Sequence, residues 1–149
     1  LLFGSQFFDK KGQLHWPVQG PIEKSFGAEK HFSQDSLELM NKGIFFRSSD
    51  DEKVFSVARG KVIFSGILLG LGRVVIVDQG GRYYTVYGNL KSTNLKVKEI
   101  VEEKGVVGLT GSKHLIWGRG LYFEIRHFSQ PQNPEKWLKK MGSTQFASM

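Results

Sequence analysis

Arg73-Val-Val-Ile-Val-Asp78, the turn Gln79-Gly80-Gly81, and Arg82-Tyr-Tyr-Thr-Val-Tyr87 decide the fold class. The first run is dense in β-branched residues, which suit a pleated surface and lose rotamer freedom in a helix. The glycine pair supplies the positive φ angles that a tight hairpin connection requires. The third run alternates aromatic and β-branched residues, so the three segments predict a hairpin. Working outward, the same grammar recurs at 43–47, 53–57, 61–68, 106–110 and 121–126. Turn signals at Arg59-Gly60 and Gly70-Leu71-Gly72 separate some of these runs. Strands at this spacing predict an all-β fold, an antiparallel sheet folded on itself with short peripheral helices. One helix is expected at 34–41, where Leu37 and Met40 sit three apart, and another at 134–140. For the second, Asn133 is the N-cap and Pro134 suits the first helical position. The charged stretch 98–104 fits more than one conformation.

The length of 149 residues fits one domain, and a 40% hydrophobic fraction suffices for a core. Without cysteine, disulfides, thiolate zinc sites and cysteine nucleophiles are excluded. Cysteine usage alone does not assign a compartment. The net charge of +7 favours anionic partners: nucleic acid, anionic lipid, acidic glycan or an acidic protein. The basic residues are spread singly, and no Lys/Arg run marks a nucleic-acid arm, so nucleic acid is not expected. No stretch approaches the ~18 apolar residues of a membrane span. The longest apolar run, 62–69, is broken by Ser65 and Gly66. Residues 1–11 read as an N-terminal arm or the end of an upstream helical region. Residues 12–140 form the domain, and 141–149 read as a flexible tail. The chain opens on Leu1, so a targeting signal is expected upstream.

An ordered set of short motifs extends this reading. Trp16-Pro17-Val18-x-Gly20 precedes Phe26-Gly27. Lys42-Gly43-Ile44 precedes Val54-x-x-Val57-Ala58-x-Gly60-x-Val62. Gly70-x-Gly72, Val74 to Asp78 and Tyr84-Thr85-Val86-Tyr87-Gly88 follow. Leu121-Tyr122-Phe123-Glu124-Ile125-Arg126 and Asn133-Pro134-x-x-Trp137-Leu138 close the series. In order and spacing, the set resembles the LytM-type (lysostaphin-like) zinc metallopeptidase domain. That family cleaves peptidoglycan cross-bridges with a zinc held by three protein ligands and one open water position. Its ligands are a His and an Asp four apart and the second His of a late His-x-His. A further His lies on the strand before that pair.

Carried onto this chain, the first pair falls on Asn41 and Phe45 and the second on Gly120 and Tyr122. The preceding-strand His falls on Asn89. None of the five is an ordinary zinc ligand. The resemblance therefore implies a degenerate, non-catalytic domain with no metal cofactor. The histidines present are His15, His31, His114 and His127. His31 and Asp35 have the His-x-x-x-Asp spacing, but the Gly-Ile that should follow the His stands at Gly43-Ile44. His15 and His127 read as surface residues. His114 lies in the 111–118 loop beside the former metal position, and one histidine is not a zinc site. Ser112 near His114 lacks the third orienting group of a triad. By alternation, Tyr122, Glu124 and Arg126 share one face, with Phe123 and Ile125 on the other. Glu124 and Arg126 then read as a structural polar pair rather than an acid and base.

Within that family, Leu121 to Arg126 is similar to the EnvC-like amidase activators, with Tyr at a metal His position and Arg two residues beyond Glu. The resemblance implies binding and activation of a periplasmic N-acetylmuramoyl-L-alanine amidase in the Gram-negative cell envelope, promoting peptidoglycan hydrolysis in cell division or separation. A partner-binding groove is expected from Lys42, Ile44, Phe45, Leu71, Tyr87, Tyr122 and Arg126. Aromatic and aliphatic residues form its trough, and the two cations stand at its rim. A simpler reading has Phe45 and Tyr122 filling the hole left by the metal. A peptidoglycan-binding module predicts direct sacculus binding. A non-catalytic partner of a LytM-type endopeptidase predicts a heterodimer. An active zinc endopeptidase predicts a rebuilt ligand set.

Overall fold

The computed structural model describes residues 7–27 and 42–140. Among the described residues, eleven strands run in chain order. They are β1 (Ile22–Lys24), β2 (Ile44–Arg47), β3 (Lys53–Phe55), β4 (Gly60–Leu68), β5 (Gly72–Gly80) and β6 (Tyr83–Leu90). They continue with β7 (Ile100–Val101), β8 (Val106–Leu109), β9 (Lys113–His114), β10 (Gly118–His127) and β11 (Gln130–Gln132). The main sheet has the order β1-β2-β10-β6-β5-β4-β7, and β9 and β11 both pair with β10. Strands β3 and β8 form a separate two-stranded sheet. All named strand pairs are antiparallel. The all-β expectation holds, and the lead hairpin forms as β5–β6 around Gly81 and Arg82. Gly80, Gly81 and Arg82 all take positive φ, which relieves the strand of its extended geometry within three residues.

The strand ends move by a few residues. Strand β10 begins at Gly118 rather than 121, because β9 offers it a partner there. The segment 98–104 contributes the short edge strand β7, which pairs with β4. The expected helix at 134–140 contracts to one 3₁₀ turn, Pro134–Lys136. Asn133 caps it, its side chain accepting from the Glu135 amide at 3.1 Å. Leu138 then pairs with Leu14 as an isolated parallel bridge, and the Lys139 amide donates to the Leu14 carbonyl at 2.6 Å. A continued helix would forfeit that pairing. The helix expected at 34–41 and the tail 141–149 lie outside the described residues.

One face of the main sheet holds the principal core. Ile44, Phe46, Tyr87, Leu121, Phe123 and Ile125 meet Val54 and Val107 of the small sheet there. The N-terminal residues belong to this core as well. Residues 7–9 are helical, and Phe7 is buried, its ring 4.9 Å from Trp137 and 5.2 Å from Tyr83. The residues expected as an arm thus contribute at least Phe7 to the domain interior. Phe7→Ala should lower unfolding free energy by about 3–5 kcal/mol, as large-to-small changes at buried aromatics do. Urea denaturation of the variant against the parent chain measures this.

Candidate functional site

Strand β10 sets the second face. Tyr122, Glu124 and Arg126 point away from the principal core, as two-residue alternation requires. Across β2, Tyr122 is opposite Phe45. Across β6, Glu124 is opposite Val86 and Arg126 is opposite Tyr84. The row through Glu124 continues as Val86, Ile76 and Phe64. The next row runs Arg126, Tyr84, Asp78 and Lys61. A mostly apolar row thus lies beside a polar one.

At the head of this face, where the resemblance expects metal ligands at Phe45 and Tyr122, the structure holds a cluster of rings. Phe45 and Tyr122 are each 1% exposed, and Trp117 is 4% exposed. The Trp117 ring lies 4.7 Å from Tyr122 at an interplanar angle of 8°. His114 stacks on the opposite side of Trp117, 4.0 Å away at 18°. Phe45 tilts against Trp117 at 5.3 Å, and Leu71 closes the cluster. Ring pairs in such arrangements contribute beyond their buried area. The Trp117 indole N–H is buried without a hydrogen-bond partner, so stacking alone holds this side chain. His114 positions the stack: its Nε2 lies 2.8 Å from the Gly70 carbonyl, and its Nδ1 accepts from the Ile116 and Trp117 amides at 3.0 and 3.2 Å. This pattern requires the ring hydrogen on Nε2.

A polar chain runs along β10 from the stack. The Tyr122 hydroxyl donates to Glu124, and Arg126 Nε donates to Glu124 Oε1 at 2.5 Å. Arg126 Nη1 also donates to the Ser129 carbonyl at 3.0 Å. A buried carboxylate is tolerated because a hydroxyl and a guanidinium satisfy it. Burial, and then the Glu124 charge, push the Tyr122 phenol far above its ordinary range. Burial disfavours the charge on Arg126, but the bond and charge of Glu124 outweigh it and hold Arg126 raised. The sequence reading of Glu124–Arg126 as a polar pair agrees with this geometry. Gly43 makes room for it: a Cβ there would sit 2.5 Å from the Phe123 carbonyl and 2.9 Å from Tyr122 Cζ.

The donor set does not fit zinc. Phe45 has no donor, and the Tyr122 phenol is held neutral and bonded to Glu124. Asn89 spends its amide group on the Ser112 and Gly120 carbonyls at 3.1 and 3.0 Å, tying the 111–118 loop to β10. Gly120 has φ 151°, and a Cβ there would fall 1.8 Å from the Phe46 carbonyl, so this backbone admits no side chain. Asn41 lies outside the described residues, as do His31 and Asp35. Among the described residues, no group of three His, Cys, Asp or Glu could hold a metal ion.

The geometry brings Phe45, Leu71 and Tyr122 together, with Arg126 further along the same face and Lys42 exposed in the turn before β2. It does not bring Ile44 and Tyr87 there. Tyr87 is opposite Phe123, on the core face, where its hydroxyl accepts from the Val57 amide at 3.0 Å. A shift of one residue in pairing moves a side chain to the other face, so Tyr84 and Val86 take the places expected for Tyr87. Nor is the trough open at Phe45 and Tyr122, because Trp117 covers them. Trp117 is not among the residues expected in the groove. Its sequence signal is a tryptophan in the glycine-bounded 111–118 loop. His15 and His127, expected at the surface, are half-buried, and His127 stacks on Tyr83 at 4.0 Å.

Trp117→Ala should lower unfolding free energy by about 3–5 kcal/mol, because it leaves a cavity against Tyr122 and Phe45. Chemical denaturation checks this. Tyr122 also predicts alkaline sensitivity. Its folded pKa lies above the 10.0 of a free phenol, so below pH 10 it adds no pH dependence. As pH rises past that value, the unfolded chain releases a proton that the fold retains, and stability falls. The decline above about pH 10 should be shallower in Tyr122→Phe. Denaturation midpoints measured from neutral to alkaline pH give the two slopes.

The profile of Peptidase family M23 matches residues 39–134, more than half of the chain. Murein hydrolase activator EnvC of Escherichia coli is 35% identical over 128 residues, covering 86% of this chain and 29% of the relative. Cell division protein DipM of Caulobacter vibrioides is 31% identical, covering 78% of this chain and 18% of the relative. Murein hydrolase activator NlpD of Escherichia coli is 27% identical, covering 83% of this chain and 30% of the relative. The chain thus spans less than a third of the length of these relatives. Among solved structures, lysostaphin from Staphylococcus simulans superposes with a TM-score of 0.70 at 22% identity, covering 84% of this chain and 53% of that chain. A chain of the SpoIIQ–SpoIIIAH pore-forming complex gives 0.72 at 23% identity, covering 93% and 99%. At these identities the superpositions establish the fold.

Proposed function

This chain belongs to peptidase family M23, and we propose that it is a non-catalytic member that binds and activates a periplasmic N-acetylmuramoyl-L-alanine amidase, promoting peptidoglycan hydrolysis in cell division or separation. The observation that carries this reading is a packed stack of rings where the resemblance expects metal ligands. Phe45 and Tyr122 fall on two of the expected ligand positions, Asn89 and Gly120 on the accompanying His positions, and Trp117 packs against both rings. Relatives named as murein hydrolase activators and a cell division protein support the direction of the proposal.

The site has a physical route to this function. With the metal position plugged, contact moves along the same face to the row Phe64, Ile76 and Val86. Phe64 and Ile76 are half-buried and keep surface for a partner. The adjacent row of Lys61, Asp78, Tyr84 and Arg126 supplies polar contacts. An amphipathic helix presents the matching pattern, apolar anchors beside polar groups. Tyr and Arg are among the side chains that most often dominate binding energy. Arg126 has a second duty, since it neutralises buried Glu124. Its removal therefore weakens the fold as well as the surface, and the cleaner probes are Tyr84 and Lys42.

Dye release from labelled sacculi tests the proposal. Release is expected only when the chain and a purified periplasmic amidase are present together. Tyr84→Ala should lower amidase binding by roughly tenfold or more, the scale of a hot-spot loss. Lys42→Ala should lower it to a smaller degree. Release by the chain alone, or wild-type amidase affinity in both variants, would overturn the proposal.

A further inference from the structure

Two loops meet beside the filled site and present apolar side chains outward. Leu69 at the β4–β5 turn and Leu115 in the 111–118 loop are 102% and 101% exposed. Ile67, two residues before Leu69, and Ile116, next to Leu115, are 65% and 54% exposed. The loops are held together: the His114 Nε2–Gly70 carbonyl contact of 2.8 Å joins the residue before Leu115 to the residue after Leu69. Leu71 anchors the first loop on the Trp117–Tyr122 cluster from below. Four large aliphatic side chains are thus displayed on a braced double tip. Single exposed apolar residues are ordinary, but a cluster of this kind marks an interaction surface.

The charge around the tip identifies its partner. Residues 62–77 contain Arg73 and no acid, and residues 111–119 contain Lys113 and Arg119 and no acid. Arg119 is engaged by Asp50 at 2.7 Å, whereas Lys113 is exposed and Arg73 half-buried opposite Ile67. Neither Lys113 nor Arg73 has an ion pair among the described residues. The chain as a whole carries +7. The shape argues in the same direction. Leucines at full exposure are convex knobs with no flanking wall, unlike the row of Phe64, Ile76 and Val86 on the sheet face. A fluid apolar phase receives such knobs without needing a matching cavity, while cations at its edge meet anionic head groups.

We propose that Leu69, Leu115, Ile67 and Ile116 form a tip that inserts into the surface of an anionic phospholipid bilayer, with Lys113 and Arg73 against its head groups. This contact is separate from the sheet face proposed for the amidase, and it holds whether or not that reading is correct.

Co-sedimentation of the chain with vesicles of phosphatidylethanolamine containing phosphatidylglycerol tests it, with pure phosphatidylcholine vesicles as the comparison. The chain should bind the anionic vesicles, bind the neutral ones more weakly, and lose affinity as salt rises. The double variant Leu69→Ser/Leu115→Ser should weaken vesicle binding by about tenfold or more, from the lost burial of two leucines. Both positions are fully exposed, so its denaturation midpoint should match the parent chain. Lys113→Glu should weaken binding to anionic vesicles while leaving the neutral ones unaffected. No binding of the parent chain to anionic vesicles, or equal binding by the double variant, would overturn the proposal. So would loss of amidase activation by the double variant in lipid-free solution, which would make the tip a protein-docking surface.

Discussion

Strand β10 lies between β2 and β6, and its two-residue period sorts the molecule into two environments. Leu121, Phe123 and Ile125 enter the principal core, while Tyr122, Glu124 and Arg126 face away from it. Pairing with β2 places Phe45 on the Tyr122 side and Ile44 and Phe46 on the other. Pairing with β6 does the same for Val86 and Tyr84 against Tyr87 and Thr85. Register here is strongly specified, because a slip by one residue would bury the Glu124 carboxylate in the core and expose Phe123. The ring cluster, the polar chain and the apolar row all inherit their locations from this arrangement.

On the proposed reading, in which a metal site has been lost, a physical problem arises that these residues would resolve. A catalytic zinc centre needs donors around an open position. Removing the donors without filling the space would leave a void whose lining loses contacts. Trp117 removes the void by stacking between His114 and Tyr122. Asn89 ties the 111–118 loop to β10. Gly120 permits a backbone path that no side chain could follow. Glu124 keeps a charge on this face, matched by Arg126 and Tyr122. The outcome is a rigid head on a sheet face whose remaining accessible part is mixed apolar and polar.

Much of this was legible in the sequence for identifiable reasons. Strand density between 73 and 87 and the glycine-rich turns are local signals, so the all-β fold could be read directly. The Tyr122, Glu124, Arg126 alternation is also local, and its face assignment agrees with the structure. Ile44 and Phe45 are neighbours on one strand, so alternation alone puts them on opposite faces and only one can line the groove. Which one, and which face Tyr87 takes, is decided by cross-strand register, which is not local. The burial of Phe45 and Tyr122 agrees with the simpler reading, in which they fill a hole, but the cover over them is not a local signal. It depends on Trp117, which reaches them through a loop closed by the His114–Gly70 contact, 44 residues apart in sequence. The short helix at 134–136 was overestimated because capping signals mark where a helix begins, while the Leu14–Leu138 bridge decides where it ends.

On the proposed reading, an aromatic stack has replaced a zinc centre in this member of the family. The most direct measurement is the zinc content of the chain purified from zinc-supplemented medium, determined by elemental analysis against protein concentration. The account predicts zinc far below one per chain, with the denaturation midpoint unchanged by a chelator. One tightly held zinc per chain, with a midpoint that falls on chelation, would contradict it.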